Sequence, residues 1–232
     1  MEMRGCSVGA TRFAILAAVP ASVTDFTVQA QHLLRDEHQF KWYVVTLLAL
    51  VIYVYAVEVE RRRWDVVLAG VTFWLADWIN EIANSLILHF SHRAALWTVT
   101  GNTAYLILIG LTIEISLMFA ISGVVFAKVL PPDPRTKLLG MPNRLTIGLG
   151  FSIFATFVEV LLHATGYFHW EYWWWNFPCV PLIVVFGYLW FFLITAYVYD
   201  LPDNRARLRI VSGLAAIVIL SVLIFGVVLE WI

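Results

Sequence analysis

Six stretches of this 232-residue sequence, 42–59, 64–90, 103–130, 144–163, 180–199 and 208–231, are each long and apolar enough to cross a bilayer. In hydrocarbon a chain must satisfy its backbone N–H and C=O groups internally, so such segments fold as helices. The connections are short, and no Ser/Gly/Pro-rich linker divides them. The expected fold is an all-α polytopic membrane helix bundle, with six transmembrane helices in 42–232 and a separate N-terminal segment in 1–41.

Positive charge sets the expected orientation. Arg61, Arg62 and Arg63 occupy the first loop, Lys128, Arg135, Lys137 and Arg144 the third, and Arg205, Arg207 and Arg209 the fifth. The second and fourth loops offer only Arg93. The first, third and fifth loops are therefore expected in the cytoplasm of a cell with a bacterial inner membrane. The second and fourth loops and the C-terminus are expected outside. A net charge of −1 and the lack of a basic arm argue against a nucleic-acid partner.

The N-terminal segment is less determined. The apolar run FAILAAVPAS (13–22) is compatible with a cleavable signal, a seventh span or an interfacial helix. The favoured reading is an interfacial helix capped by Thr24, with Phe26, Leu33, Leu34 and Phe40 on its apolar side.

The second span carries an unusual load. At about 100° per residue, Asp77, Asn80, Glu81 and Asn84 fall on one side of a helix. Glu114 is expected near the centre of the third span. Glu159 and His163 share a face of the fourth, and Tyr188, Thr195 and Tyr199 a stripe of the fifth. No lysine or arginine lies among them at bilayer depth. An acid facing lipid at mid-depth is unfavourable by about 2.5–3.5 kcal/mol, so these groups should face the bundle interior or a wet cavity. Three resolutions are open there. The carboxyls can be held neutral, can bind a cation, or can face a substrate that becomes positive during reaction.

Histidines supply an alternative chemistry. His89 and His92 form an HxxH near the end of the second span, Glu159 and His163 lie four apart, and His169 and Glu171 follow in the fourth loop. These spacings are usable for metal or haem ligation. The same loop reads GYFHWEYWWWNFPCVP (166–181). Tryptophan is at home among headgroups, but Trp173, Trp174 and Trp175 cannot all face lipid in one conformation. At least one ring should turn inward, where with Trp170 it could wall a pocket for a greasy ligand and attract positive charge.

This aromatic loop, running through Pro178, Cys179, Val180 and Pro181 into the Gly187-Tyr188 helix, resembles the integral-membrane carotenoid cyclases and hydratases. Trp78-Ile79-Asn80-Glu81 is similar to the small membrane-bound terpenoid cyclases, whose intramembrane carboxyl protonates an alkene or epoxide. The resemblance covers a minority of the chain. It implies a proton donor at Glu81 or Asp77.

The leading expectation is thus an intramembrane enzyme, a cyclase, hydratase or isomerase, acting on an isoprenoid or other membrane lipid. Asp77, Glu81, Glu114 and Glu159 form its acid–base set. Asn80, Asn84, His163, Trp170, Trp173, Trp174, Trp175 and Tyr188 line the substrate. No cofactor is needed in that reading. The first alternative is a metal- or haem-binding oxidoreductase subunit using His89, His92, Glu159, His163, His169 and Glu171. The second is a proton- or cation-coupled transporter. A membrane-protein partner or a homo-oligomer is compatible with each.

Overall fold

The computed structural model describes residues 23–232. The run 13–22 lies outside the described residues. The chain forms a helical membrane bundle, with α1 Asp25–Leu33, α2 Tyr43–Glu60, α3 Trp64–Ser91, α4 Ile113–Val129, α5 Asn143–Ala164, α6 Val180–Asp200 and α7 Asn204–Val228. Among the described residues, α2, α3, α5, α6 and α7 are long and apolar enough to cross a membrane. α4, at 17 residues, reaches the lower limit of that range.

The expected third span is shorter than its apolar run. Residues 103–112 leave the helical path, and β2 Leu106–Leu108 folds back on β3 Leu111–Thr112. Thr112 then caps α4, its hydroxyl accepting from the Ile115 N–H at 3.1 Å. Glu114 consequently sits in the first turn of α4, not at mid-span. Composition conceals this, because Leu-Ile-Leu-Ile is as apolar in a buried hairpin as in a helix.

The central helix is α3, which packs on α4, α6 and α7. Small residues allow the approach to α4. A Cβ on Gly123 would fall 2.5 Å from the Phe73 Cβ and 2.9 Å from the Gly70 carbonyl oxygen, so two backbones meet there. Several hydroxyls inside the spans bond back along their own helices, as Ser152 does to the Gly148 carbonyl at 2.7 Å and Thr156 to that of Ser152 at 2.9 Å.

The two ends of the bundle differ. The end carrying the first, third and fifth loops holds ion pairs: Lys128 with Glu58, Arg63 with Asp65, and Arg144 with Asp200. There β4 Lys137–Leu138 pairs with β5 Met141–Pro142 across Leu139 and Gly140, both at positive φ as a two-residue hairpin requires. The opposite end is aromatic. β1 Trp97–Val99 pairs antiparallel with β6 Phe168–Trp170, joining the second and fourth loops.

α1 docks on this small sheet. Thr24 caps it, and the Thr24 and Thr27 hydroxyls donate to Glu171 Oε1 at 3.1 and 3.4 Å. Its buried face is Thr27 and Ala30, whereas Phe26 and Phe40 remain exposed. The expected apolar side is docked in part: Leu33 and Leu34 pack against the core, and Phe26, though exposed, stacks on His169. Short side chains let the helix approach the sheet closely, and hydrogen bonds hold it there.

Candidate functional site

A cavity of about 280 Å³ lies between α3, α4, α5 and α6. Asp77, Asn80 and Glu81 reach it from α3, Glu159 from α5, Tyr188 from α6 and Trp175 from the fourth loop. Most of the remaining wall is hydrocarbon and rings, with Phe73 stacked on Phe119 and set edge to face or tilted against Phe191 and Phe192. Among the described residues, no lysine or arginine lines it.

The three carboxyls are held differently. Tyr188 donates to Glu159 Oε1 at 2.6 Å, and the Trp97 indole N–H donates to Glu81 Oε1 at 3.0 Å. Asp77 is buried, and among the described residues no hydrogen bond reaches its carboxyl. Glu81 Oε2 is likewise without a partner. The three are near enough to interact electrostatically. A buried acid lacking both counter-ion and donor is unfavourable unless it meets a proton or a ligand. Asp77 is the least compensated of the three.

Local structure explains the placement. Ile183–Leu189 of α6 is π-helical, and this wider turn brings Ile183, Gly187 and Tyr188 to the cavity together. Asn84 lies outside the lining. Its amide instead grips the second loop, donating to the Trp97 carbonyl at 2.8 Å and accepting from the Leu96 and Trp97 N–H groups at 2.8 and 3.3 Å. It thereby positions the indole that reaches Glu81. Gly110 leaves room for that indole, since a Cβ there would stand 2.4 Å from the Trp97 Nε1.

Other expected site residues lie elsewhere. Glu114 accepts from the Tyr43 and Thr103 hydroxyls and from the Ala104 N–H, away from the cavity. His163 approaches the Phe168 carbonyl at 3.0 Å through Nδ1 and stacks on Trp170, which is buried behind the cavity wall. Trp173 is 79% exposed and Trp174 is also exposed, so of the three consecutive rings Trp175 alone turns inward.

The expected ligand set is divided. His89 stacks on Trp231, His169 on Phe26, and Glu171 holds Thr24 and Thr27, while Glu159 faces the cavity. His92 ends α3 in a left-handed conformation. Among the described residues, no three His, Cys, Asp or Glu side chains converge in a way that could hold a metal ion.

Trp97, Gly110 and Phe168 were not expected at the site. Each lies in a connection, and only the β-branched and aromatic alternation of Leu-Trp-Thr-Val-Thr (96–100) signals that this connection is ordered.

The model of a family described as an uncharacterized membrane protein family matches residues 24–227. A protein of Archaeoglobus fulgidus, described as uncharacterized, is 46% identical over 204 residues, which cover 88% of this chain and 97% of that protein. No solved structure matches.

Proposed function

We propose that this chain, which belongs to that uncharacterized membrane protein family, is an intramembrane enzyme working on a long apolar, unsaturated substrate by acid-initiated carbocation chemistry. One observation carries the reading. Three carboxyls share an aromatic cavity and, among the described residues, meet no basic partner, while the barest of them, Asp77, has no hydrogen bond. In the reaction, protonated Asp77 gives its proton to one carbon of a double bond. The π pair forms the new C–H bond, the other carbon becomes cationic, and Asp77 is left as carboxylate.

The rings of Phe73, Phe119 and Phe191 and the negative carboxylate stabilise that cation, and the apolar wall limits capture by stray water. Return of a proton from the cation to a carboxylate completes an isomerisation or cyclisation. Addition of water, with loss of one of its protons to the Asp77 carboxylate, completes a hydration. Tyr188 and Trp97 keep Glu159 and Glu81 in fixed orientation beside Asp77, where a carboxylate can take the proton back. The same reading has the first, third and fifth loops facing the cytoplasm across a bacterial-type inner membrane.

The test is exchange in D2O. Protein reconstituted in lipid with prenyl hydrocarbons of varied length should return substrate or product carrying deuterium. Asp77→Asn should abolish the incorporation. Undiminished incorporation in Asp77→Asn, Glu81→Gln and Glu159→Gln together would defeat the proposal. Cation flux into proteoliposomes that depends on the same residues, without exchange into hydrocarbon, would favour transport.

A further inference from the structure

The cavity wall is uneven in a way that indicates how it is entered. Its three exposed residues, Met118 at 48%, Val125 at 45% and Phe154 at 65%, all lie on α4 or α5. The lining contributed by the second and fourth loops and by α6 is buried throughout. α4 packs on α2, α3 and α6, and α5 on α6, so the two helices flank the cavity without a broad interface between them. They meet where the Phe126 and Phe151 rings stand edge to face, 5.4 Å apart. Between that contact and the aromatic end, the seam runs open past Ser122 and Ala155.

The depth of the seam is informative. At 1.5 Å per residue, Met118–Val125 lies roughly 8–18 Å from the aromatic end of α4, and Phe154–Val158 roughly 9–15 Å from that end of α5. Half of a hydrocarbon core is about 15 Å, so the seam is at tail level and not at headgroup level. The aromatic end is meanwhile closed by Trp97 stacked on Trp175, by Phe168 and by the sheet that α1 covers. Among the described residues, the lining has no basic side chain to receive a phosphate. At about 30 Å³ per water-sized group, 280 Å³ takes roughly ten carbons, about two isoprene units.

We infer that the α4–α5 seam is a lateral entrance from the bilayer core, and that it admits the unsaturated end of a headgroup-free hydrocarbon. The remainder of the chain trails through the seam into the membrane. This deepens the proposed function by naming the substrate class and its route, and it rests on that reading for the chemistry alone.

The test is photolabelling of the full chain in phosphatidylcholine nanodiscs. One probe is a C20 prenyl hydrocarbon with a terminal diazirine. The second is a phospholipid carrying the diazirine in its headgroup, and the third a phospholipid carrying it at a chain end. The first should label the buried cavity residues Phe73, Phe119 and Phe191 at least tenfold above the other two. Ala155→Trp and Ser122→Trp, which fill the seam from opposite sides, should each lower that labelling about tenfold. Phe157→Trp, on the outward face of α5, should not. Equal labelling by either phospholipid, or labelling indifferent to both seam substitutions, would overturn the inference. Asp77→Asn should label normally, so a failure of the acid chemistry and a failure of the entrance give different results.

Discussion

Glu58 and Asp77 are both 2% exposed, yet they sit in opposite circumstances. Glu58, at the basic end, meets Lys128. Its neighbours follow the same rule, Asp65 bonding Arg63 and Asp200 receiving both arms of Arg144 at 2.9 and 2.6 Å. Those carboxylates are neutralised in place and tie helix ends together. Among the described residues Asp77, one span away, has neither cation nor donor, and Glu81 and Glu159 beside it meet neutral donors alone. Burial is therefore a poor guide to an acid's role in this molecule. What distinguishes the two groups is whether the fold supplies an answering positive charge.

That contrast can be broken most sharply by exchanging each acid for its amide. Asp77→Asn should lower turnover roughly 10²–10⁴-fold, as expected for loss of a general acid. Its thermal midpoint in detergent should hold or rise, because an uncompensated buried acid is removed. Trp97→Phe takes the donor from Glu81 and should lower turnover roughly 10–100-fold by loss of one hydrogen bond to a charged group. Steady-state assays of both variants against the wild type would check the order.

Glu58→Gln should do the opposite. Turnover should stay within about twofold, while stability falls by about 1–2 kcal/mol, a modest figure because Lys128 is half exposed and screened. Denaturation monitored by helix signal measures it. If Glu58→Gln abolished turnover and left stability intact, the distinction between the two groups of acids would collapse.

The smallest expected effect concerns α1. Burial holds the Glu171 carboxyl above its ordinary 4.5, although Thr24 and Thr27 donate to it and Arg93 stands near. The docked state thus holds the proton more tightly, so docking is strongest below about 4.5 and weakens as pH rises through the raised value. Burial, with His163 close by, holds the His169 imidazole below its ordinary 6.5. That contribution has the reverse sign, undisturbed above 6.5 and lost as pH falls through the lowered value. Between those limits both groups oppose docking, so protection of the Asp25–Leu33 backbone from hydrogen exchange should pass through a minimum at intermediate pH. Glu171→Gln should remove only the alkaline loss.

The stripe of Asp77, Asn80 and Glu81 was legible in sequence because a helix repeats every 3.6 residues and polar groups in an apolar field stand out. The inward turn of one ring among Trp173, Trp174 and Trp175 was also legible, but which ring was not. A loop has no period from which to count. Glu114 was misplaced for a related reason, since the apolar run 103–130 gave no sign of where hairpin passes to helix. Trp97 was invisible because its contact with Glu81 depends on Asn84 gripping the backbone of a loop.

Sequence alone determined that the chain is a polytopic helical membrane protein, because hydrocarbon tolerates few other ways of satisfying a backbone. It also determined that α3 carries its acids on one side. The tertiary structure decided which acids share a chamber, which donors reach them and where that chamber opens. Those facts depend on distances between segments far apart in the chain, and periodicity within one helix has no information about them.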